Sequence, residues 1–474
     1  MEKNYLNRVV WVVLAVVLVL LALYWLPEVT VGQWSMRKID ILADLRSDSA
    51  SLANGDSTAR KKAMPNVPML EGSYLTHDKD GNVITVEDSI VNAVAMQGPH
   101  KDGVESIVDM SAGGSAGMET FYSALDSASK RPVRIAVLGD SYIESDLMTA
   151  MLRELLQERF GGTGCGYLPI TSMTAKSRVT VNQTFEGWEE YKAIEYNRYQ
   201  NSFNTITGNY FTASRGAWVS MVGSDYYYSR TATCTNSSFY YMGETGQARV
   251  SAYINGGLSQ QFVLDDYSPV AKVTVKGDTI KSVKWVVNDV SGMVFLGASM
   301  DCDKGVIVDN FGMRSARGLH LNNLTERNLA AFHKVRPYDL IIIMYGLNIA
   351  GKGKTDKDFI AYCNEMTANF EKMKRTMPST SFLLVGCSDR AERRSDGFRT
   401  MGSVLALIQA QKRVAINSRI SFWNLYEAMG GEGSIVNMVN NGEAARDYTH
   451  VTRKGSDRIA HWLYDALMLG YENR

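Results

Sequence analysis

The sequence predicts an α/β fold, a parallel sheet with helices on both faces, that is split by an inserted β-sandwich and preceded by a transmembrane helix. Three observations predict it: apolar strand-like runs alternate with helical patterns in two separate regions, a turn-rich β-type region lies between them, and an uncharged apolar run opens the chain. A length of 474 residues is enough for about three domains and for a large core.

The opening apolar run covers residues 9–26, eighteen residues without a charge. About this length crosses a bilayer as a helix, and Lys3 and Arg8 precede it. We therefore expect residues 1–27 to be a single-pass anchor in the inner (cytoplasmic) membrane, with the rest of the chain in the periplasm or outside the cell. A cleaved signal peptide is the competing interpretation, although no A-x-A cleavage site follows the run.

Residues 28–116 are predicted to be a tether and an N-terminal extension. Two stretches in or next to this region are rich in small and polar residues, SDSASLANGDSTARKKA at 47–63 and SAGGSAG at 111–117. Such compositions are typical of flexible linkers. Residues 64–110 show weak periodicity and suggest no function.

The α/β domain is predicted in two parts, residues 117–169 and 302–474. Short apolar runs of this kind are typical of strands buried on both faces of a parallel sheet, and the segments between them have helical spacing. The predicted strands and helices are VRIAVL at 133–138, a helix at 147–160, DLIIIMY at 339–345, a helix at 356–375, SFLLVG at 381–386, RISFWNL at 419–425 and a closing helix at 454–469.

Residues 170–301 are predicted to form the inserted β-sandwich, because β-type runs there are closely punctuated by turn residues. Fifteen aromatic residues lie in the 57 residues from Phe185 to Tyr241. We expect most of these rings to pack in the core of the sandwich. A few of them are candidates for stacking on sugar rings.

Charge and cysteine content exclude several classes of protein. The 50 basic residues balance the 50 acidic ones, so no strong field attracts nucleic acid, and we expect no nucleic-acid partner. The five cysteines are scattered without a CxxC pair, which argues against a disulfide scaffold and a cysteine-ligated zinc site. Cys234 and Cys302 lie in or beside the insert, and their positions alone do not decide whether they pair.

Three polar motifs lie where predicted strands end or where the closing helix begins. Gly139-Asp140-Ser141 follows the first strand, Gly346-Leu347-Asn348 follows a second, and Asp447 to His450 (DYTH) precedes the closing helix. Ligands bind at the carboxyl ends of strands in open parallel sheets. Each motif alone is an ordinary turn or cap, but together they predict one site.

The residue types of this site suit acyl transfer. A serine hydroxyl becomes a nucleophile when a histidine removes its proton and a carboxylate orients the histidine. Ser141, His450 and Asp447 supply these three groups, with the last two about one turn apart. The backbone N–H of Ser141 and the side-chain amide of Asn348 can donate hydrogen bonds to an oxyanion.

GDSY at 139–142, the glycine of DNFG at 309–312, YGLN at 345–348 and DYTH at 447–450 resemble the four motif blocks of the SGNH/GDSL hydrolases. The resemblance implies a three-layer flavodoxin-like fold with Ser141 as nucleophile, Asp447 and His450 as acid and base, and Ser141, Gly312 and Asn348 as oxyanion donors. LRELLQERFGGTGCGYLPI at 152–170 and the β-rich insert resemble the peptidoglycan O-acetylesterases more narrowly, which implies a jelly-roll-like, carbohydrate-binding insert. Tyr142 and Ile349 depart from the residues common in related esterases.

The expected activity is that of an extracytoplasmic serine esterase that removes small O-acyl groups from a polysaccharide, with peptidoglycan as one candidate. It requires no metal and no organic cofactor. Two alternatives remain open. One is a polysaccharide O-acetyltransferase with the same triad and a membrane acyl-donor partner, and the other is a non-catalytic glycan-binding protein.

Overall fold

The structure is a computed structural model that describes residues 99–351, 356–395 and 397–474 and four short earlier strands. The chain divides into two compact units, Met1–Pro65 and Asn66–Arg474. The predicted anchor at 9–26 and the tether segment at 47–63 lie outside the described residues. No helix in the described ranges is long and apolar enough to span a membrane, and the anchor stays a prediction.

In chain order, the strands of the first unit are β1 (Thr30–Val31) and β2 (Trp34–Ser35). Those of the second are β3 (Tyr74–His77), β4 (Val83–Val86), β5 (Val108–Asp109), β6 (Pro132–Gly139), β7 (Gly166–Leu168), β8 (Val181–Lys192), β9 (Asn209–Gly223), β10 (Cys234–Met242), β11 (Gln247–Ile254), β12 (Gly257–Leu264), β13 (Ala271–Ile280), β14 (Ser282–Ser291), β15 (Val294–Met300), β16 (Gly305–Gly312), β17 (Leu340–Met344), β18 (Ser381–Val385), β19 (Ala391–Arg394), β20 (Gly397–Thr400) and β21 (Ser421–Trp423). The α-helices are α1 (Met118–Leu125), α2 (Leu147–Phe160), α3 (Glu326–Val335), α4 (Ile360–Thr376), α5 (Gly402–Asn417), α6 (Leu425–Met429), α7 (Ser434–Asn440) and α8 (Arg453–Glu472).

The central sheet contains five parallel strands in the spatial order β16-β6-β17-β18-β21, with β5 antiparallel at the β21 edge. In chain order this arrangement is 2-1-3-4-5, the flavodoxin-like order. Ligands bind in such sheets beside the strands where the order reverses, which are β6 and its neighbours. The predicted α/β fold is confirmed.

Helices cover both faces of this sheet, because successive side chains of a strand point to opposite faces. Along β6, Ile135 and Val137 belong to one core with side chains of α1, α2 and α8. Ala136 and Leu138 belong to the other core, with side chains of α3, α4 and α5. The result is a three-layer arrangement that presents the carboxyl ends of the strands at one edge.

The domain begins earlier than the predicted boundary at residue 117. The edge strand β5 already pairs with β21, and the Asp109 carboxylate accepts hydrogen bonds at 2.8 Å from the N–H groups of Ser111 and Met118. The SAGGSAG stretch is thus a hydrogen-bonded turn that leads into α1, whose first N–H is capped by Asp109. A composition of small residues did not distinguish this hydrogen-bonded turn from a linker.

The insert consists of nine strands, β7 to β15, joined antiparallel into one network in which the long strand β9 pairs with β8, β14 and β15. The strands enclose a core in which Phe239 stacks on Trp285 at 5.2 Å between ring centroids. Because β7 pairs with β15, the insertion starts at about Gly166, before the predicted residue 170. The strand β7 has only three residues, which is too short for its sequence pattern to show which domain it belongs to.

The insert is fixed to the α/β domain by buried charges. Arg336 donates to Asp301 at the end of the insert and to Asp309 in β16, at distances of 2.5–3.0 Å. Asp309 also accepts the N–H of Tyr167 at 2.8 Å. Because breaking a buried ion pair is strongly destabilising, these contacts hold the insert against the edge of the sheet.

Candidate active site

Ser141 lies in a tight turn at the carboxyl end of β6. The Asp140 carbonyl accepts hydrogen bonds at 3.1 Å from the N–H groups of Ile143 and Glu144, which closes the turn. A side chain at Gly139 would collide with the Ile143 side chain and the Met344 carbonyl. The glycine of the GDS motif therefore lets the strand turn sharply and present the serine at the edge of the sheet.

The structure joins the three predicted triad residues in one chain of hydrogen bonds. Ser141 Oγ lies 3.0 Å from His450 Nε2, and His450 Nδ1 lies 2.7 Å from Asp447 Oδ2. Asp447 Oδ1 accepts the N–H groups of Thr449 and His450, each at 3.0 Å. Tyr448 between them has a φ of 54°, a left-handed conformation that folds the loop back so that one carboxylate can bind all three donors.

The electrostatics of this chain favour an ionised carboxylate. Partial burial acts to raise the pKa of Asp447, but hydrogen bonds from the His450 side chain and from two backbone N–H groups hold the pKa below its ordinary value. The His450 and Asp447 side chains are 48% and 51% exposed, so water reaches the triad directly. A persistent carboxylate can orient the imidazole and stabilise its protonated form.

Two of the predicted oxyanion donors, Asn348 and Gly312, lie in different cavities. Asn348 lines the same cleft as Ser141 and His450, and its Nδ2 donates to the Ala316 carbonyl at 3.1 Å. Gly312 lines a neighbouring cavity, and its N–H donates to Asn310 Oδ1 at 3.1 Å. An oxyanion at Gly312 would compete with the Asn310 side chain, whereas Asn348 has a second amide hydrogen to offer.

Two residues that were not predicted to act in the site hold its loops together. Asp140 is buried and accepts N–H groups of Tyr142 and of the loop that carries Asn348; burial raises its pKa to about 6 despite these hydrogen bonds. The Tyr142 hydroxyl donates to the Thr449 carbonyl at 3.0 Å, linking the serine turn to the histidine loop. The only sequence signal was that Tyr142 departs from the related esterases.

The triad opens into a cleft of about 470 Å³. Its walls are formed by Glu144, Ser145, Arg314, Ser315 and Asn348, among others, and Arg314 pairs with Glu144 at 2.8 Å. Ser145 and Ser315 have φ values of 69° and 64°, strained conformations of the kind that clusters at functional sites. Within the described ranges, no group of three or more His, Cys, Asp or Glu residues could hold a metal ion.

Comparison with solved structures identifies the fold. A structure of a peptidoglycan O-acetylesterase aligns with a TM-score of 0.64 and 18% sequence identity over 78% of this chain and 99% of the other. The chain has the SGNH/GDSL hydrolase fold. A lipase/acylhydrolase from Enterococcus faecalis aligns at 19% identity over 34% of this chain and 75% of its own, with a TM-score of 0.24. A family two carbohydrate esterase from Cellvibrio japonicus aligns at 12% identity over 62% and 98%, with a TM-score of 0.25.

Both lower scores lie below 0.5, so the fold assignment rests on the first structure. No protein-family model and no curated protein matches the chain. In this SGNH/GDSL hydrolase fold the Asn348 loop is held by Arg390, which donates to the carbonyls of Leu347 and Ala350 at 2.9 and 3.2 Å. These two hydrogen bonds hold the backbone on both sides of Asn348 in place.

Proposed function

We propose that the protein is a serine esterase that removes O-acetyl or other small acyl groups from a polysaccharide through an acyl-enzyme on Ser141. One observation carries the proposal: Ser141, His450 and Asp447 form a continuous hydrogen-bonded chain that opens into a solvent-accessible cleft. This is the arrangement that serine acyl transfer requires.

In the first half of the reaction, Ser141 Oγ attacks the ester carbonyl while its proton passes to His450 Nε2. Asp447 stabilises the imidazolium through Nδ1–H. The negative oxygen of the tetrahedral intermediate accepts hydrogen bonds from the Ser141 N–H and from Asn348 Nδ2. The intermediate collapses, the bond between the acyl carbon and the sugar oxygen breaks, and His450 gives its proton to that departing oxygen, which leaves as the sugar hydroxyl.

In the second half, water attacks the acyl-enzyme and gives its proton to His450. The new tetrahedral intermediate collapses, the bond between the acyl carbon and Ser141 Oγ breaks, and His450 returns its proton to Oγ, which releases the carboxylic acid and restores the Ser141 hydroxyl. Gly312 joins the oxyanion hole only if its N–H leaves Asn310 Oδ1. The exposure of His450 supports water as the acceptor, because solvent has direct access to the imidazole.

A glycan substrate is supported first by the structural neighbour, which is named as a peptidoglycan O-acetylesterase. It is also supported by two insert tyrosines, Tyr226 and Tyr227, which are 79% and 52% exposed. Tyr227 lies over the Arg453 guanidinium at 3.7 Å, and Arg453 is only three residues beyond His450. The exposed surface of these two rings can stack on the sugar rings of a bound glycan.

The extracytoplasmic location is part of the proposal and rests on the apolar run at residues 9–26. A membrane acyl-donor partner belongs to the transferase alternative only. In that case a sugar hydroxyl, and not water, would resolve the acyl-enzyme.

The test is acetate release from O-acetylated peptidoglycan, from other acetylated glycans and from an aryl acetate, with wild type and Ser141→Ala compared. We expect wild type to release acetate from the aryl ester and from at least one glycan, and Ser141→Ala to release none above background. Equal release by both proteins would refute the esterase. Transfer of acetyl to an added oligosaccharide in preference to water would establish the transferase instead.

A further inference from the structure

A second cavity, of about 200 Å³, lies between the insert and the edge of the central sheet. The loop between β7 and β8 forms one wall, and strands β8, β9 and the end of β16 form the others. Glu144, Arg314 and Ser315 line both this cavity and the triad cleft. The two spaces are therefore adjacent compartments on either side of the Glu144–Arg314 ion pair.

Arg178 is the unusual residue of this cavity. Its side chain is part of the wall and is only 8% exposed, yet among the described residues neither its Nε nor its Nη1 has a hydrogen-bond partner. Burial acts to lower the pKa of the guanidinium. A buried charge without hydrogen bonds is costly, and proteins rarely keep one without a partner or a ligand.

The nearest carboxylate does not complete the coordination of Arg178. Asp146 lies close enough to act on it electrostatically, but Arg153 binds both Asp146 oxygens at 2.9 and 3.0 Å. Thr180 donates to Asp146 at 2.6 Å, and Thr149 donates as well. These donors occupy both oxygens of Asp146. Arg178 is therefore a second cation beside a carboxylate whose hydrogen bonds are already taken by other residues.

The other charged groups of the wall are paired or exposed. Glu190 lies 3.4 Å from Lys192 and accepts from Thr171 at 3.1 Å, and Glu144 pairs with Arg314. Glu195 is at the exposed rim. Arg178 is therefore the buried charged group of the described wall whose Nε and Nη1 are left without hydrogen-bond partners.

Neutral polar groups complete the lining. Thr174 and Thr207 contribute hydroxyl groups, and Asn209 Oδ1 is a buried acceptor without a hydrogen-bond partner among the described residues. A guanidinium binds carboxylates through paired N–H groups, and hydroxyl and amide groups suit the hydroxyls of a sugar ring.

We infer that this cavity is a binding pocket for a carboxylate-bearing sugar, with Arg178 as the group that binds the carboxylate. The inference rests on the proposed function, because the ligand would be an acidic residue of the glycan whose acyl group lies in the adjacent cleft. The pocket would then select acidic over neutral glycans at a point next to the reacting ester.

The experiment measures binding of D-glucuronate and D-glucose to the full-length protein by calorimetric titration and by the shift in Tm. The two sugars differ only at the group that Arg178 would bind. The protein carries Ser141→Ala, so binding is read without turnover. We compare it with the added substitutions Arg178→Met, Arg178→Lys and, as a matched control on an exposed insert arginine, Arg215→Met.

We expect D-glucuronate to bind at least tenfold more tightly than D-glucose. Arg178→Met should remove this preference while raising the Tm of the free protein, because it replaces an unpartnered buried charge with an apolar chain. Arg178→Lys should retain part of the preference, and Arg215→Met should change nothing. A structural role for Arg178 predicts the opposite sign, a lower Tm for Arg178→Met.

Equal binding of the two sugars, or a preference that survives Arg178→Met, would overturn the pocket. If Arg178→Met does not fold, the Arg178→Lys protein still decides the question. A lysine cannot offer the paired N–H groups of a guanidinium, so an unchanged preference for D-glucuronate in Arg178→Lys would contradict bidentate binding by Arg178. Esterase activity is measured separately on the aryl acetate. A protein that binds D-glucuronate through Arg178 but has no esterase activity would refute the proposed function and leave the pocket standing.

Discussion

Replacing Asp447 by Asn tests how the triad is oriented. The carboxylate accepts three hydrogen bonds, from His450 Nδ1 at 2.7 Å and from the N–H groups of Thr449 and His450 at 3.0 Å. An amide has one oxygen and one NH2 group, so in either orientation its NH2 faces a donor. The substitution must either disorient the imidazole or open the loop.

The size of the loss follows from the contact that breaks. A hydrogen bond to a charged group contributes about 1.5–3 kcal/mol, and each 1.4 kcal/mol changes a rate about tenfold. We therefore expect kcat/KM on an aryl acetate to fall about 10- to 150-fold. Because Asp447 is half exposed, solvent screening places the result below the about 10⁴-fold loss seen when a buried triad carboxylate is replaced.

The assay is steady-state hydrolysis of the aryl acetate across about pH 6 to 9, a range far above the ordinary pKa of an aspartate. Because hydrogen bonds hold the pKa of Asp447 below its usual value, the carboxylate stays ionised throughout this range, and the variant should be slower than wild type at every pH tested. Asp465→Asn, an exposed carboxylate on α8, is the matched control. A loss below threefold, or an equal loss in the control, would refute a role for Asp447 in orienting His450.

Three further changes probe the loops, the fold and the insert. Tyr142→Phe removes a buried hydrogen bond worth about 0.5–1.5 kcal/mol, and should lower kcat about 2- to 10-fold with little change in KM; an altered KM alone would contradict this. Burial raises the pKa of Glu105 from 4.5 to about 7. Between these two pH values the folded state keeps a proton on Glu105 that the unfolded state has lost, so the free energy of unfolding falls as the pH rises from 4.5 to about 7. Glu105→Gln should therefore gain about 1–2 kcal/mol at pH 8, after a discount for partial exposure, and nothing at pH 4, as measured by denaturant unfolding. The double change Tyr226→Ala and Tyr227→Ala should raise KM at least fivefold on a glycan and leave the aryl acetate unaffected, whereas Tyr267→Ala, an exposed insert tyrosine (82%), should alter neither.

Much of the fold could be predicted because its signals are local. The runs VRIAVL and DLIIIMY contain only residues suited to burial on both faces, and the structure places them side by side as β6 and β17. Their parallel pairing also explains why the site could be anticipated. Ser141 and Asn348 follow two adjacent strands, so their positions in the sequence determine that they share one edge.

The remaining features depend on contacts between distant residues. The edge strand β5 has only two residues, and its pairing with β21 leaves no periodicity to detect. The N–H of Gly312 is engaged by a side chain two residues away, a contact that its motif does not reveal. Arg178 resembles any loop arginine in the sequence, and only the fold shows that its Nε and Nη1 are buried without hydrogen-bond partners.

In the proposed reaction Ser141 carries the acyl group during turnover. The most direct measurement is mass spectrometry of the protein after rapid mixing with an aryl acetate and acid quenching, followed by peptide mapping. We predict an acetyl group on the peptide that contains Ser141, formed in wild type and absent from Ser141→Ala. Acetate release by wild type without any acetyl group on Ser141, or with the same modification pattern in Ser141→Ala, would contradict an acyl-enzyme on Ser141.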